Sequence, residues 1–260
     1  MTIRQATLDD VPVLLNIITS ALPRDYQWQY CFRQSSKQDP SKYVRSALEQ
    51  TLAPGNNDWL VCVAEEPNTH KPVGLAIWSW TDATIREDAD EQSVNGSSKD
   101  DTVEGAALHV EGFANGTAKG TSHASNTRIA ALGDAVADCR KRQLARYGKQ
   151  LHLHVVATHP DHQRKGYAKL LCHHGITLAR SKGMAASAVA SSLGYIFFSG
   201  LGFVDCGQVV VRAPGEGEEI ELKSMVYATP QQEQRRGSWL DMIGLGERRR
   251  SSTDHRLSVS

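Results

Sequence analysis

Four histidines and one glycine turn crowd a short stretch of this chain: His152, His154, His159, His162 and Gly166. A hydrophobic run, Leu151-His152-Leu153-His154-Val155-Val156-Ala157-Thr158, leads into Gln163-Arg164-Lys165-Gly166-Tyr167-Ala168. An amphipathic run from Tyr167 to about Lys182 follows. Strand, short loop and helix in that order aim free backbone N–H groups and a positive helix end at one point. Such a point binds anions, most often phosphate or pyrophosphate. Gly166 lets the backbone approach the ligand, and Ala168 keeps the first helical turn slim. Arg164 and Lys165 add positive charge outside the cradle.

His152 and His154 share a strand face by its period of two. An imidazole near its ordinary pKa of about 6.5 suits the removal of a proton from an ammonium group. A pair of partly buried rings packed against a helix is the alternative, and the spacing leaves both open. A metal held by His152, His154, His159 and His162 would lack any cysteine or carboxylate at ligand spacing, so no metal is expected.

The elements that must position these groups follow from periodicity. Ile3 to Ala6 reads as a strand. Asp9 or Asp10 caps a helix whose apolar positions are Val11, Leu14, Leu15 and Ile18. Asp39-Pro40-Ser41 opens a second helix, with Tyr43, Val44, Ala47, Leu48 and Leu52 on one side. Trp59 to Ala64 and Val73 to Trp80 form a hairpin about the turn at residues 67–70. Residues 81–127 are rich in Asp, Glu, Ser, Gly, Asn and Thr and bury too little apolar surface to offset their ordering entropy. They read as an insertion whose removal would barely change stability. Ile129, Leu132, Val136, Cys139 and Leu144 mark a helix up to about Tyr147, ended by Gly148. Beyond Gly183, Ala185 to Ala190 is a strand, Leu193 to Gly200 a short helix, and Phe203 to Val211 with Glu219 to Tyr227 a closing pair. The domain therefore spans residues 1–227, and 228–260 is a basic, polar tail with an apolar island around Trp239.

These features together resemble the Gcn5-related N-acetyltransferase (GNAT) superfamily, whose coenzyme A loop reads Gln/Arg-x-x-Gly-x-Gly/Ala. His159-Pro160-Asp161 before the loop, Gly200-Leu201-Gly202-Phe203 after it, and the opening Thr2-Ile3-Arg4-Gln5-Ala6-Thr7 carry the likeness. It covers residues 1–80 and 128–227. The resemblance implies an α/β (α+β) fold, a mixed, mostly antiparallel sheet of six to seven strands flanked by helices, with coenzyme A at a splayed strand pair. It implies direct transfer of an acetyl group from acetyl-CoA to an amine, without an acyl-enzyme intermediate. By the same likeness, Val156, Ala157 and Thr158 bind pantetheine through their backbone, and Gln163 to Ala168 hold the pyrophosphate.

Transfer needs a base for the amine, N–H groups for the oxyanion and an acid for the leaving thiolate. His152 is the candidate base, with His154 in reach of the same site. The acid departs from the family pattern: Phe198 stands where many members carry a tyrosine, and a phenyl ring donates no proton. Tyr195 on the same short helix is the candidate substitute, with Ser191, Ser192 and water as alternatives. The segment Asp25, Tyr26, Trp28, Gln29 and Tyr30 falls where the family shapes its acceptor pocket. Its aromatic, mildly acidic character suits an amine of a small molecule on an apolar or aromatic scaffold.

The chain balances 29 Lys+Arg against 29 Asp+Glu over 260 residues, which points to neither nucleic acid nor a membrane surface. Its five cysteines are scattered without Cys-x-x-Cys spacing, and no secretory leader or membrane-length apolar run is expected. These traits suit a cytoplasmic protein, monomeric or homodimeric. O-acetylation or transfer of a longer acyl group is the enzymatic alternative. A catalytically degenerate acyl-CoA-binding protein, favoured by Phe198, is the other.

Overall fold

Alternation along the central strands divides the core in two. Val61 and Val63 pack into one apolar cluster, while Cys62 and Ala64 pack into the other. In the computed structural model, which describes residues 1–32, 39–82 and 123–228, these strands belong to one seven-stranded sheet. Its strands are β1 (Thr2–Gln5), β2 (Trp59–Glu65), β3 (Pro72–Asp82), β4 (Lys149–Thr158), β5 (Ala185–Ala190), β6 (Val204–Arg212) and β7 (Glu219–Tyr227). They lie in the order β1-β2-β3-β4-β5-β7-β6. Only β4 and β5 pair in parallel; every other pairing is antiparallel.

The helices are α1 (Val11–Ala21), α2 (Tyr26–Phe32), α3 (Pro40–Thr51), α4 (His123–Cys139), α5 (Tyr167–Ser181) and α6 (Ser192–Ser199). Leu14, Ile17, Tyr30, Val44, Leu48 and Ile129 bring α1 to α4 onto one core cluster. Tyr167, Leu171, Cys172, Ile176 and Phe198 bring α5 and α6 onto the other. Helix α5 lies so close to the sheet that a Cβ at Gly175 would stand 2.2 Å from the Trp78 ring. No methyl group fits there unless the indole or the helix moves.

The α/β fold, its sheet and its flanking helices agree with the sequence expectation. Three details differ. Residues 26–32, expected as a connection, form α2: the Asp25 carboxylate accepts from Gln27 N at 2.9 Å, and its carbonyl accepts from Gln29 N at 3.0 Å. Strand β3 runs on to Asp82 and α4 begins at His123, so regular elements reach into both ends of the expected insertion. The rest of that insertion, and the tail beyond residue 228, lie outside the described residues. Finally, the helix expected up to Tyr147 continues past Cys139 as a wider turn, Arg140–Leu144, and a tight one, Ala145–Tyr147.

Candidate active site

One extra residue in β4 lies at the candidate site. On the β3 side, Leu153 pairs with Trp78 and Val155 with Ile77, so the register skips His154. Such a bulge shifts the alternation by one. Leu151 and Leu153 accordingly pack under α5, whereas Ala157 packs in the opposite cluster and Val155 against it. On the other side, pairing of β4 with β5 stops at Leu153 with Ala188, though β4 continues to Thr158 and β5 to Ala190. The two strands part there, and among the described residues no other strand pairs with the β5-facing edge of residues 154–158.

That gap opens into a cavity of about 560 Å³. Its floor is His152 to Val156. One wall comes from α1, α2 and α3 through Ile18, Leu22, Trp28, Phe32 and Val44, and another from α4 through Ile129, Leu132 and Val136. The far side is the end of β5 and α6, with Ser191, Leu193, Phe197 and Phe198. Gln163 and Ala168 bring the glycine loop to the same space.

The loop has the conformation an anion cradle requires. Arg164 (φ 64) and Gly166 (φ 91) are both left-handed, and Gly166 is the N-cap of α5. Residues 163–166 are exposed, and a Cβ at Gly166 would meet nothing within 4 Å. Gln163 donates to the Thr158 carbonyl at 3.1 Å and Lys165 to the Asp161 carbonyl at 3.3 Å, which ties the loop to the end of β4. Tyr167 is buried beneath the loop, and Ala157 and Thr158 are buried at the end of β4.

Both histidines line the cavity, with ring centroids 4.8 Å apart. His152 is 2% exposed and its Nδ1 lies 2.9 Å from Ser187 Oγ on β5. Burial, together with the neighbouring His154 and Arg140, holds its pKa well below the ordinary histidine value. It is therefore neutral at neutral pH, but the same burial penalises its protonated form, so it is a weaker base than the imidazole of ordinary pKa expected from the sequence. His154 is half-buried, with its Nε2 2.7 Å from Ser79 Oγ and its ring 4.8 Å from that of Trp59.

Phe198 is buried and lines the cavity, packed on Phe197 and Phe203 at 5.2 and 5.3 Å. Tyr195 lies on the same helix but outside the lining, packed against the cluster under α5. Ser191 does line the cavity, and its hydroxyl donates to Asp25 Oδ2 at 2.6 Å. This bond joins positions 166 residues apart, so no local pattern could reveal it. Cys31 also lines the cavity, but burial pushes its thiol up to about 12, and Cys62 and Cys172 are likewise buried thiols raised to about 11 and 12. None is a thiolate nucleophile near neutral pH. Among the described residues no group of three or more His, Cys, Asp or Glu could hold a metal ion, and no helix is long and apolar enough to cross a membrane.

The sequence profile described as the acetyltransferase (GNAT) family matches residues 24–194. Among solved structures, a polyamine N-acetyltransferase of Drosophila melanogaster that forms N-acetylagmatine superimposes with a TM-score of 0.56 at 14% identity, over 88% of this chain and 99% of that one. A mosquito arylalkylamine N-acetyltransferase like 5b gives 0.56 at 17% identity, over 88% and 99%. Arylalkylamine N-acetyltransferase 2 of Aedes aegypti gives 0.57 at 12% identity, over 87% and 98%. At such identities the likeness is one of fold. No curated protein matches the sequence.

Proposed function

As a member of the acetyltransferase (GNAT) family, matched over residues 24–194, this chain, we propose, moves the acetyl group of acetyl-CoA directly to an amine of a small molecule. The observation that carries the reading is the parting of β4 from β5 beyond Leu153 and Ala188, with the glycine loop at one end of the gap and the histidine pair at the other. The pyrophosphate of acetyl-CoA rests on the N–H groups of residues 163–168, with Arg164 and Lys165 beside it. Its pantetheine arm runs along Val156, Ala157 and Thr158. The thioester then reaches the cavity beside His152 and Phe198.

The acceptor arrives as an ammonium and loses one proton to His152, directly or through His154. Its nitrogen attacks the thioester carbon, a C–N bond forms, and backbone N–H groups of β4 face the developing oxyanion. The C–S bond then breaks, and the second nitrogen proton is lost as the thiolate gains one. The sum is an amide, coenzyme A and one proton released to solvent. The proton that the thiolate gains comes from a hydroxyl at the α6 end or from water: Ser191 lines the cavity, whereas Tyr195, the donor expected from the sequence, lies outside the lining, and a thiolate of pKa near 8.5 asks little of any of them.

The walls of Trp28, Phe32, Ile18 and Val136 suit an acceptor with an apolar or aromatic body. That fits the arylalkylamines named for the mosquito enzymes better than the polyamine and agmatine named for the Drosophila one. Five free thiols suit the cytoplasm. The test is release of free thiol from acetyl-CoA with a panel of small amines and the matching alcohols. Turnover with amines alone supports the reading, and turnover with alcohols alone shifts it to O-acetylation. Phe198 favours one further reading, an acyl-CoA-binding protein without turnover, which tight acetyl-CoA binding with no thiol release across the panel would establish.

A further inference from the structure

Resting on the reading of the cavity as the acceptor site, we propose that Asp25 binds the acceptor's ammonium group and restricts the acceptor to amines with one positive charge on an apolar body. Asp25 is the one carboxylate among the described residues that line the cavity. Its described partners are both neutral donors, Gln27 N on Oδ1 at 2.9 Å and Ser191 Oγ on Oδ2 at 2.6 Å. A carboxylate accepts up to about four hydrogen bonds, so each oxygen keeps room for a further donor. A half-enclosed carboxylate among apolar side chains gains most from a cation, because little water remains to compete.

Its place in the cavity suits the reacting nitrogen. A Cβ at Gly194 would stand 3.4 Å from the Phe198 ring and 3.7 Å from Ser191 Oγ, so Ser191, Gly194 and Phe198 form one wall. Asp25 is bonded to that wall at Ser191 and so sits at the end of the cavity where β4 and β5 part. An ammonium held there is close to the thioester, with the histidines on the floor to take its proton. A second positive charge on the acceptor would point into Ile18, Leu22, Trp28, Leu132 and Val136 without a counter-ion among the described residues. Desolvating that charge is costly enough to select against diamines.

Asp25→Asn removes the charge and keeps the α2 cap, since its amide oxygen still accepts from Gln27 N, while the Ser191 hydroxyl turns from donating to accepting from the new NH2 group. The full chain saturated with coenzyme A is titrated calorimetrically with 2-phenylethylamine, 2-phenylethanol and 1,4-diaminobutane, and thiol release from acetyl-CoA is followed with the two amines. The expected result is that Asp25→Asn weakens 2-phenylethylamine about tenfold or more, leaves 2-phenylethanol and acetyl-CoA unchanged, and that the unaltered protein prefers 2-phenylethylamine to 1,4-diaminobutane. Equal affinity of variant and parent for 2-phenylethylamine overturns the assignment of Asp25, as does equal weakening of amine and alcohol. Preference for the diamine overturns the restriction to one charge. Asp25-dependent amine binding with no thiol release upholds this inference while removing acetyl transfer.

Discussion

The two ends of the cavity are built on different principles. The end proposed for coenzyme A is made by contiguous chain, β4, the glycine loop and the start of α5, and offers backbone groups and left-handed φ values of 64° at Arg164 and 91° at Gly166. The end proposed for the acceptor is assembled from α1, α2, α3, α4, β5 and α6, and offers side chains. A backbone site tolerates many side chains and constrains few positions. A side-chain site is the reverse, since each wall residue changes the shape and charge that the acceptor meets. The difference shows which end a substitution should disturb.

Gly166→Glu should have the largest effect. It forces a non-glycine residue into left-handed backbone, at about 1–2 kcal/mol, and sets a carboxylate where the pyrophosphate is proposed to rest. Calorimetry should read a loss of acetyl-CoA affinity on the order of a hundredfold or more, with the fold intact because the position is open. Unchanged affinity would remove this loop from the coenzyme site and erase the contrast between the two ends.

His152→Asn acts at the junction. With His154 still in place, kcat should fall by tens-fold while acetyl-CoA affinity holds. A variant as fast as the parent would leave His152 as a packed ring and its neighbour, or water, as the base.

Phe198→Tyr should be smaller and of opposite sign. It adds one hydroxyl to a packed ring at the α6 wall, and a gain of roughly tenfold or less in kcat is expected if water now protonates the thiolate. If Tyr195 already donates, the gain vanishes, and Tyr195→Phe slows transfer instead. Should both variants match the parent, the donor is elsewhere, with Ser191→Ala the next substitution to measure.

The smallest effect is on stability. His152 is kept neutral by burial in the folded chain, whereas in the unfolded chain it binds a proton near pH 6.5. Below that pH the unfolded state therefore holds more protons, and stability falls as pH drops toward the depressed folded value. The slope from this one group is about 1.4 kcal/mol per pH unit, and it is absent above pH 6.5. Denaturant unfolding between pH 5 and 6.5 should show a shallower slope in His152→Asn than in the parent. Identical slopes would mean that the imidazole titrates normally in the fold.

How far each region could be read from sequence follows the same divide. The loop from Gln163 to Ala168, the strand before it and the helix after it form a local pattern, because adjacent residues supply the whole cradle. The histidine pair was legible as a pair and as a candidate base, but the burial of His152 was not. Period two placed both rings on one face, while the bulge at His154, set by pairing with β3, determined how they face the cavity. Helix α2 escaped the periodicity argument because its seven residues, Tyr26–Phe32, span two turns and begin by alternating aromatic residues with Gln27 and Gln29, a strand's period of two. Its cap, Asp25 before Gln27, was the signal that could have found it.

Hydrophobic period and turn chemistry determined the order of the strands and of every helix but α2, and the strand, glycine loop and helix that suit an anion, while the family resemblance added that Phe198 stands where many members carry a tyrosine. These are short-range properties, set by what neighbouring residues can and cannot adopt. Tertiary structure alone decided the meeting of Asp25 with Ser191, the parting of β4 from β5, and the depressed pKa of His152. Each depends on groups far apart in the chain that share a space only after the sheet has closed over its two cores, and no spacing in a one-dimensional string encodes which water is then excluded.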